Sequence, residues 1–144
     1  MENPGIWNLG DYSLTTAVTG EVITENSDGD ACIDDLEGML AANVQIKFAY
    51  GSGGTSLKVY IQTTLDQGAT WIDVACAAFL VASATKVINL SGLTPKTTAA
   101  TPSDGSMTDD TALDGVLGDR WRAKITSTGT YAGSTTLSVR MMAR

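Results

Sequence analysis

Five oxygen-bearing side chains recur at short spacings in "NSDGDACIDDLE", residues 26–37: Asn26, Asp28, Asp30, Asp34 and Glu37. They fall at positions 1, 3, 5, 9 and 12 of a calcium-loop spacing, in which oxygen ligands suit a hard cation and a terminal Glu binds through both oxygens. Ala31 stands at position 6, where the sharp turn wants Gly, and "GEVITE" before Asn26 reads as a strand. A solvated acidic loop is expected, with calcium as the alternative and no other cofactor. Catalytic chemistry has little to work with. The chain has no histidine, which removes Ser/His/Asp and Cys/His arrangements. Asp66 and Asp73 are acids to weigh for a paired-carboxylate mechanism, but turn and strand-surface roles account for both. "GSGG" at 51–54 lies between two strands, with no following helix or Lys placed for a phosphate. Cys32 and Cys76 lack CxxC spacing and are expected as buried free thiols, and a zinc site lacks ligands. The expectation is a protein that is not an enzyme.

The elements that must position these residues are strands. The 144 residues suffice for one domain with a real core; 43% are hydrophobic, only 17% charged, and 15 are Gly. Low charge with abundant Thr, Ser and Gly favours an all-β chain rich in turns. Period-two alternation is clear at Leu57, Val59 and Ile61, at Trp121, Ala123 and Ile125, and at Leu137, Val139 and Met141. "NVQIKFAY" places Val44, Ile46, Phe48 and Tyr50 on one face. Further strands are expected over 12–18, 20–25, 70–79 and 85–91, separated by turn signals such as "GSGGT" and "LDQG". About eight short-spaced strands predict a two-sheet β-sandwich with jelly-roll connectivity over residues 11–144. "CIDDLEGMLAAN" is the one place for a helical turn, and 94–115 reads as a long surface loop.

Charge is distributed unevenly. The net charge is −7, yet residues 1–40 hold nine acids and no base, while Arg120, Arg122, Lys124, Arg140 and Arg144 follow Asp119 with no acid among them. An acidic chain is a poor ligand for nucleic acid or an anionic membrane, and no apolar run approaches the ~20 residues of a membrane helix. The N-terminus has neither a basic nor an apolar signal region, so synthesis in a cytoplasm, or prior removal of a signal, is expected. The two charged ends are expected to face each other across one sheet or loop, or else to join neighbouring subunits head to tail. Residues 1–10 read as an extended N-terminal arm in which Trp7 is a candidate anchor on a neighbour. Arg120 and Arg122 project from one strand face toward an acidic partner or solvent. Tyr60, Trp71 and Tyr131 are the aromatics available for stacking on a sugar.

The segment from Thr64 to Trp71, T-x-D-x-G-x-T-W, resembles the Asp-box hairpin of sialidases and related propeller proteins. That resemblance implies a folding device: Asp66 accepts turn amides, Gly68 permits the turn, Trp71 packs beneath, and Thr64 replaces the usual Ser. Two longer stretches, "LKVYIQTTLDQGATWIDVACAAF" and "DGVLGDRWRAKITSTGTYAGSTTLSVRMMAR", resemble small virion structural proteins of tailed bacteriophages and cover about 55 of the 144 residues. The resemblance implies a β-sandwich module that builds or decorates the particle and brings no catalytic residues. A homo-oligomeric capsid decoration or cement protein, located in the virion and bound to the major capsid protein, is the leading expectation. A neck or tail component, or a carbohydrate-binding module for surface attachment, is the alternative.

Overall fold

The structure is a computed structural model that describes residues 5–33, 35–36 and 39–144. Its strands are β1 (Gly5–Ser13), β2 (Glu21–Val22), β3 (Ala41–Ala49), β4 (Ser52–Gly53), β5 (Ser56–Thr64), β6 (Ile72–Phe79), β7 (Ala84–Ser91), β8 (Thr111–Ala112), β9 (Arg120–Thr128), β10 (Tyr131–Ala132) and β11 (Thr136–Ala143). They form antiparallel sheets in the orders β1-β11-β3-β7 and β2-β9-β5-β6-β8, with β10-β4 as a separate ribbon. The chain is an all-β sandwich, and no helix occurs among the described residues.

Alternation explains the two layers. Val44, Ile46 and Phe48 of β3 and Leu137, Val139 and Met141 of β11 meet Leu57, Val59 and Ile61 of β5 and Trp121, Ala123 and Ile125 of β9 in one buried core. At one end Phe48 packs against Phe79 and Tyr131, with ring centroids 5.2 and 5.6 Å apart. Tyr131 then donates its hydroxyl to the Leu80 carbonyl at 2.8 Å.

Two bulges set the faces of the strands that carry them. Between Asn8 and Gly10 the register of β1 against β11 shifts, so the inward parity passes from Trp7, opposite Met141, to Tyr12, opposite Leu137. The shift interrupts the period-two pattern, and it explains why residues 1–10 read as an arm. From Gly5 onward that segment is strand, and Trp7 packs against its own core rather than waiting for a neighbour. The expected strand over 12–18 correspondingly ends at Ser13. A second shift, between Ile61 and Gln62, leaves Val74 as the extra residue of β6. Ala75 and Ala77 face the core, and the same parity would aim Asp73 inward. The bulge turns Asp73 out beside Gln62 instead.

The helical turn weighed at "CIDDLEGMLAAN" is not formed where the structure describes it. Ala41 is already in β3, and Leu36 is buried with its amide donating to the Asp119 carbonyl.

Candidate interaction surface

The outer face of the β9-β5-β6 sheet is covered. Residues 103–112 of the long loop cross it and are tied down by side chains of the strands below. Asp73, 2% exposed, accepts hydrogen bonds from Gln62 Nε2 at 2.7 Å, Ser103 Oγ at 2.9 Å and the amides of Gly105 and Ser106 at 2.9 and 3.0 Å. Gln62 Nε2 also donates to Asp104 at 2.6 Å, and Gln62 Oε1 accepts from Arg122 Nε at 2.7 Å. Lys124 reaches Asp104 at 2.8 Å, Lys58 reaches Asp109 at 2.9 Å and Lys86 reaches Asp110 at 2.7 Å. The Lys124 and Gln62 hydrogen bonds hold the Asp104 carboxyl below its ordinary value against the opposing effect of burial, and the Lys86 bond lowers that of Asp110. The loop is a strap, and the polar residues beneath it are internal fasteners.

The hairpin between β5 and β6 follows the expected pattern. Asp66 Oδ1 accepts the Thr70 amide at 2.7 Å and the Thr64 hydroxyl at 2.9 Å, and Thr64 Oγ1 accepts the Gly68 amide at 3.0 Å. The Thr70 amide comes first among the causes that depress the Asp66 carboxyl. Gly68 takes φ +95°, a left-handed value that a side chain resists. The Trp71 ring lies under Arg122, 4.1 Å from the guanidinium carbon to the ring centroid.

These contacts revise the partner residues expected from the sequence. Arg122 is stacked on Trp71, bonded to Gln62 and 3.7 Å from Asp104, so its guanidinium is engaged within the fold. Arg120 donates to the Gln67 carbonyl at 3.2 Å and braces the same hairpin. Tyr60 and Tyr131 are buried at 4% and 1% exposure, and Arg122 covers Trp71, so the three aromatics form no sugar-stacking platform. Gln62 and Asp104 are the residues that sequence reading passed over, and Asp73, read as a strand-surface acid, is instead the anchor of the strap. A Gln and an Asp inside otherwise apolar strand runs were the available signal.

The acidic segment is a hairpin, closed by a bridge between Glu25 and Ala31. Asn26 turns its side-chain oxygen to the amides of Asp28 and Asp30, both at 2.9 Å, rather than to an open cation position. Asp34 and Glu37 of the calcium spacing lie outside the described residues, and among the described residues no three acids or other ligating side chains converge. Cys32 and Cys76 are free, and burial pushes both thiols up to about 11, away from reactive thiolate chemistry.

The charged chain ends meet within one sheet. β1 lies beside β11, and Arg140 grips Asp11 through both nitrogens, each 3.0 Å from a carboxylate oxygen. A groove of about 800 Å³ lies beside this pair, lined by Glu21, Glu25, Tyr12 and Ser138 among others. Large apolar side chains are also exposed: Ile6, Leu40, Leu65, Leu80, Val81, Val87 and Leu93 are each more than half exposed. A scan against family models and searches of curated proteins and of solved structures found no match to this chain.

Proposed function

We propose that this chain is a structural protein of a tailed-bacteriophage virion, a capsid decoration protein that stabilises the head through contacts between subunits. The observation that carries the reading joins sequence to fold. The two stretches that resemble phage virion proteins are far apart in the chain, yet they supply β5, β6 and β9, adjacent strands of one sheet, and the closing strand β11. The resemblance therefore falls on one packed unit rather than on scattered motifs.

The chemistry of the surface supports the same reading. The titratable groups that sequence spacing brought forward, Asp66 and Asp73, are consumed in hydrogen bonds that shape a hairpin and anchor a strap. Large apolar side chains are left exposed, as a protein that works by burying surface against neighbours requires. Such contacts oppose expansion of a shell by adding buried area across each boundary.

The test is to mix the purified protein with capsids that lack it and to sediment the particles. Saturable binding at a fixed copy number, with capsids that survive higher temperature, is the expected result. Failure to bind capsids, with binding to isolated necks or tails, would move the protein to those stations. Failure to bind any particle would remove the virion reading.

A further inference from the structure

Among the described residues the fold protects its long sheet edges, with one exception. β1 is covered by the 21–33 segment: the Asp11 amide donates to the Glu25 carbonyl at 3.0 Å, and the Ile33 amide to the Asn8 carbonyl at 3.0 Å. The other sheet ends in β2 and β8, each only two residues long. Short or covered edges are the usual defence against unwanted strand pairing. β7 has neither defence. It is eight residues long, pairs on one side with β3, and among the described residues no backbone group of 84–90 bonds to anything else. Beside this edge runs a groove of about 410 Å³, lined by Lys86–Asn89 on one wall and by Cys76, Ala77 and Asp110–Ala112 on the other.

Exposed apolar side chains lie on this edge and in the segments that flank it. Of the seven large hydrophobic residues exposed among the described residues, Leu80, Val81, Val87 and Leu93 fall within residues 80–93. In a chain of net charge −7, that segment contains no acid and one base, Lys86, which is already neutralised by Asp110 at 2.7 Å. Two copies that repel each other elsewhere can approach here.

We infer that β7 is a self-association edge: it pairs antiparallel with β7 of a second copy about a two-fold axis, joining two four-stranded sheets into one of eight. The sequence is self-complementary in one register. With Val87 on the axis, Val87 faces Val87, Lys86 faces Ile88, Thr85 faces Asn89 and Ala84 faces Leu90, so no like charges are opposed. The contact is isologous and closes as a dimer. It deepens the self-assembling part of the proposed function and rests on that reading only for its purpose in the particle.

Sedimentation equilibrium of the isolated full chain tests it. The wild-type protein is expected at about 30 kDa, twice the 15.0 kDa chain. Val87 is 66% exposed, so V87K and V87E keep the fold. Each is expected to sediment as a monomer, weakened at least about 100-fold by like charges facing across the axis. An equimolar mixture of V87K and V87E is expected to return to the dimer mass, because Lys then faces Glu. A wild-type monomer at about 100 µM, a V87K chain that stays dimeric, or a mixture that stays monomeric overturns the inference. No capsid enters this assay, so its failure and failure of capsid binding are separate results.

Discussion

At the residue scale, the most consequential side chains are acids whose hydrogen bonds go inward. Asp73 satisfies four donors from two segments, so its removal leaves two part-buried amides without their partner as well as losing a charge. Asp73→Ala is expected to cost about 3 kcal/mol or more in urea unfolding, and to speed hydrogen exchange at Gly105 and Ser106 before the core. Unchanged exchange at those amides would mean that the strap is held by other bonds. Asp11 carries a pH dependence. Burial alone would raise its carboxyl, but the Arg140 hydrogen bond, the Ser27 amide and the Arg140 charge outweigh burial and hold it at about 2 against an ordinary 3.8. A depressed folded value means stability that is present above 3.8 and lost as pH falls toward about 2. Arg140→Gln is expected to flatten that acid limb in unfolding midpoints taken across the window.

At the element scale, the β5–β6 hairpin and the approach of residue 118 to it behave differently under the same substitution. Gly68 has a left-handed φ but open space, since a Cβ there would meet the Trp71 ring no closer than 3.8 Å. Gly68→Ala is expected to cost about 1 kcal/mol, the strain of the backbone conformation alone. A Cβ on Gly118 would collide with the Thr64 carbonyl and approach Thr63 Oγ1 to 2.7 Å, where the Gly118 amide is already bonded. Gly118→Ala is expected to cost roughly 3 kcal/mol. Equal losses in thermal or urea unfolding would contradict this placement of the 118 segment against β5.

At the scale of the whole molecule, both sheets share one core, so unfolding is expected to be a single cooperative transition. Deleting residues 1–10 would remove most of β1, with Trp7 and the fully buried Leu9, rather than a dispensable arm. That deletion is expected to lower stability by at least about 4 kcal/mol, read as a shifted urea midpoint with one transition retained. A truncated chain as stable as the full one would return β1 to the status of an arm. Loss of capsid binding after this truncation would therefore report on folding, and assembly is better tested at exposed positions such as Val87 or Leu93.

The sequence by itself determined what depends on local pattern: an all-β chain, the inward faces of β3, β5, β9 and β11, the Thr64–Trp71 hairpin and the absence of histidine chemistry. Alternation and turn residues act over a few positions, and each of these features is complete within such a span. Tertiary structure decided whatever requires two distant segments. The bulges at Leu9 and Val74 reverse strand parity without a signal in composition, which hid β1 and turned Asp73 outward. The fastening of residues 103–106 by Asp73, and the withdrawal of Arg122 onto Trp71 and Gln62, rest on contacts between residues 30 to 60 positions apart. The free edge of β7 is of the same kind: whether a strand has one neighbour or two is a property of the sheet.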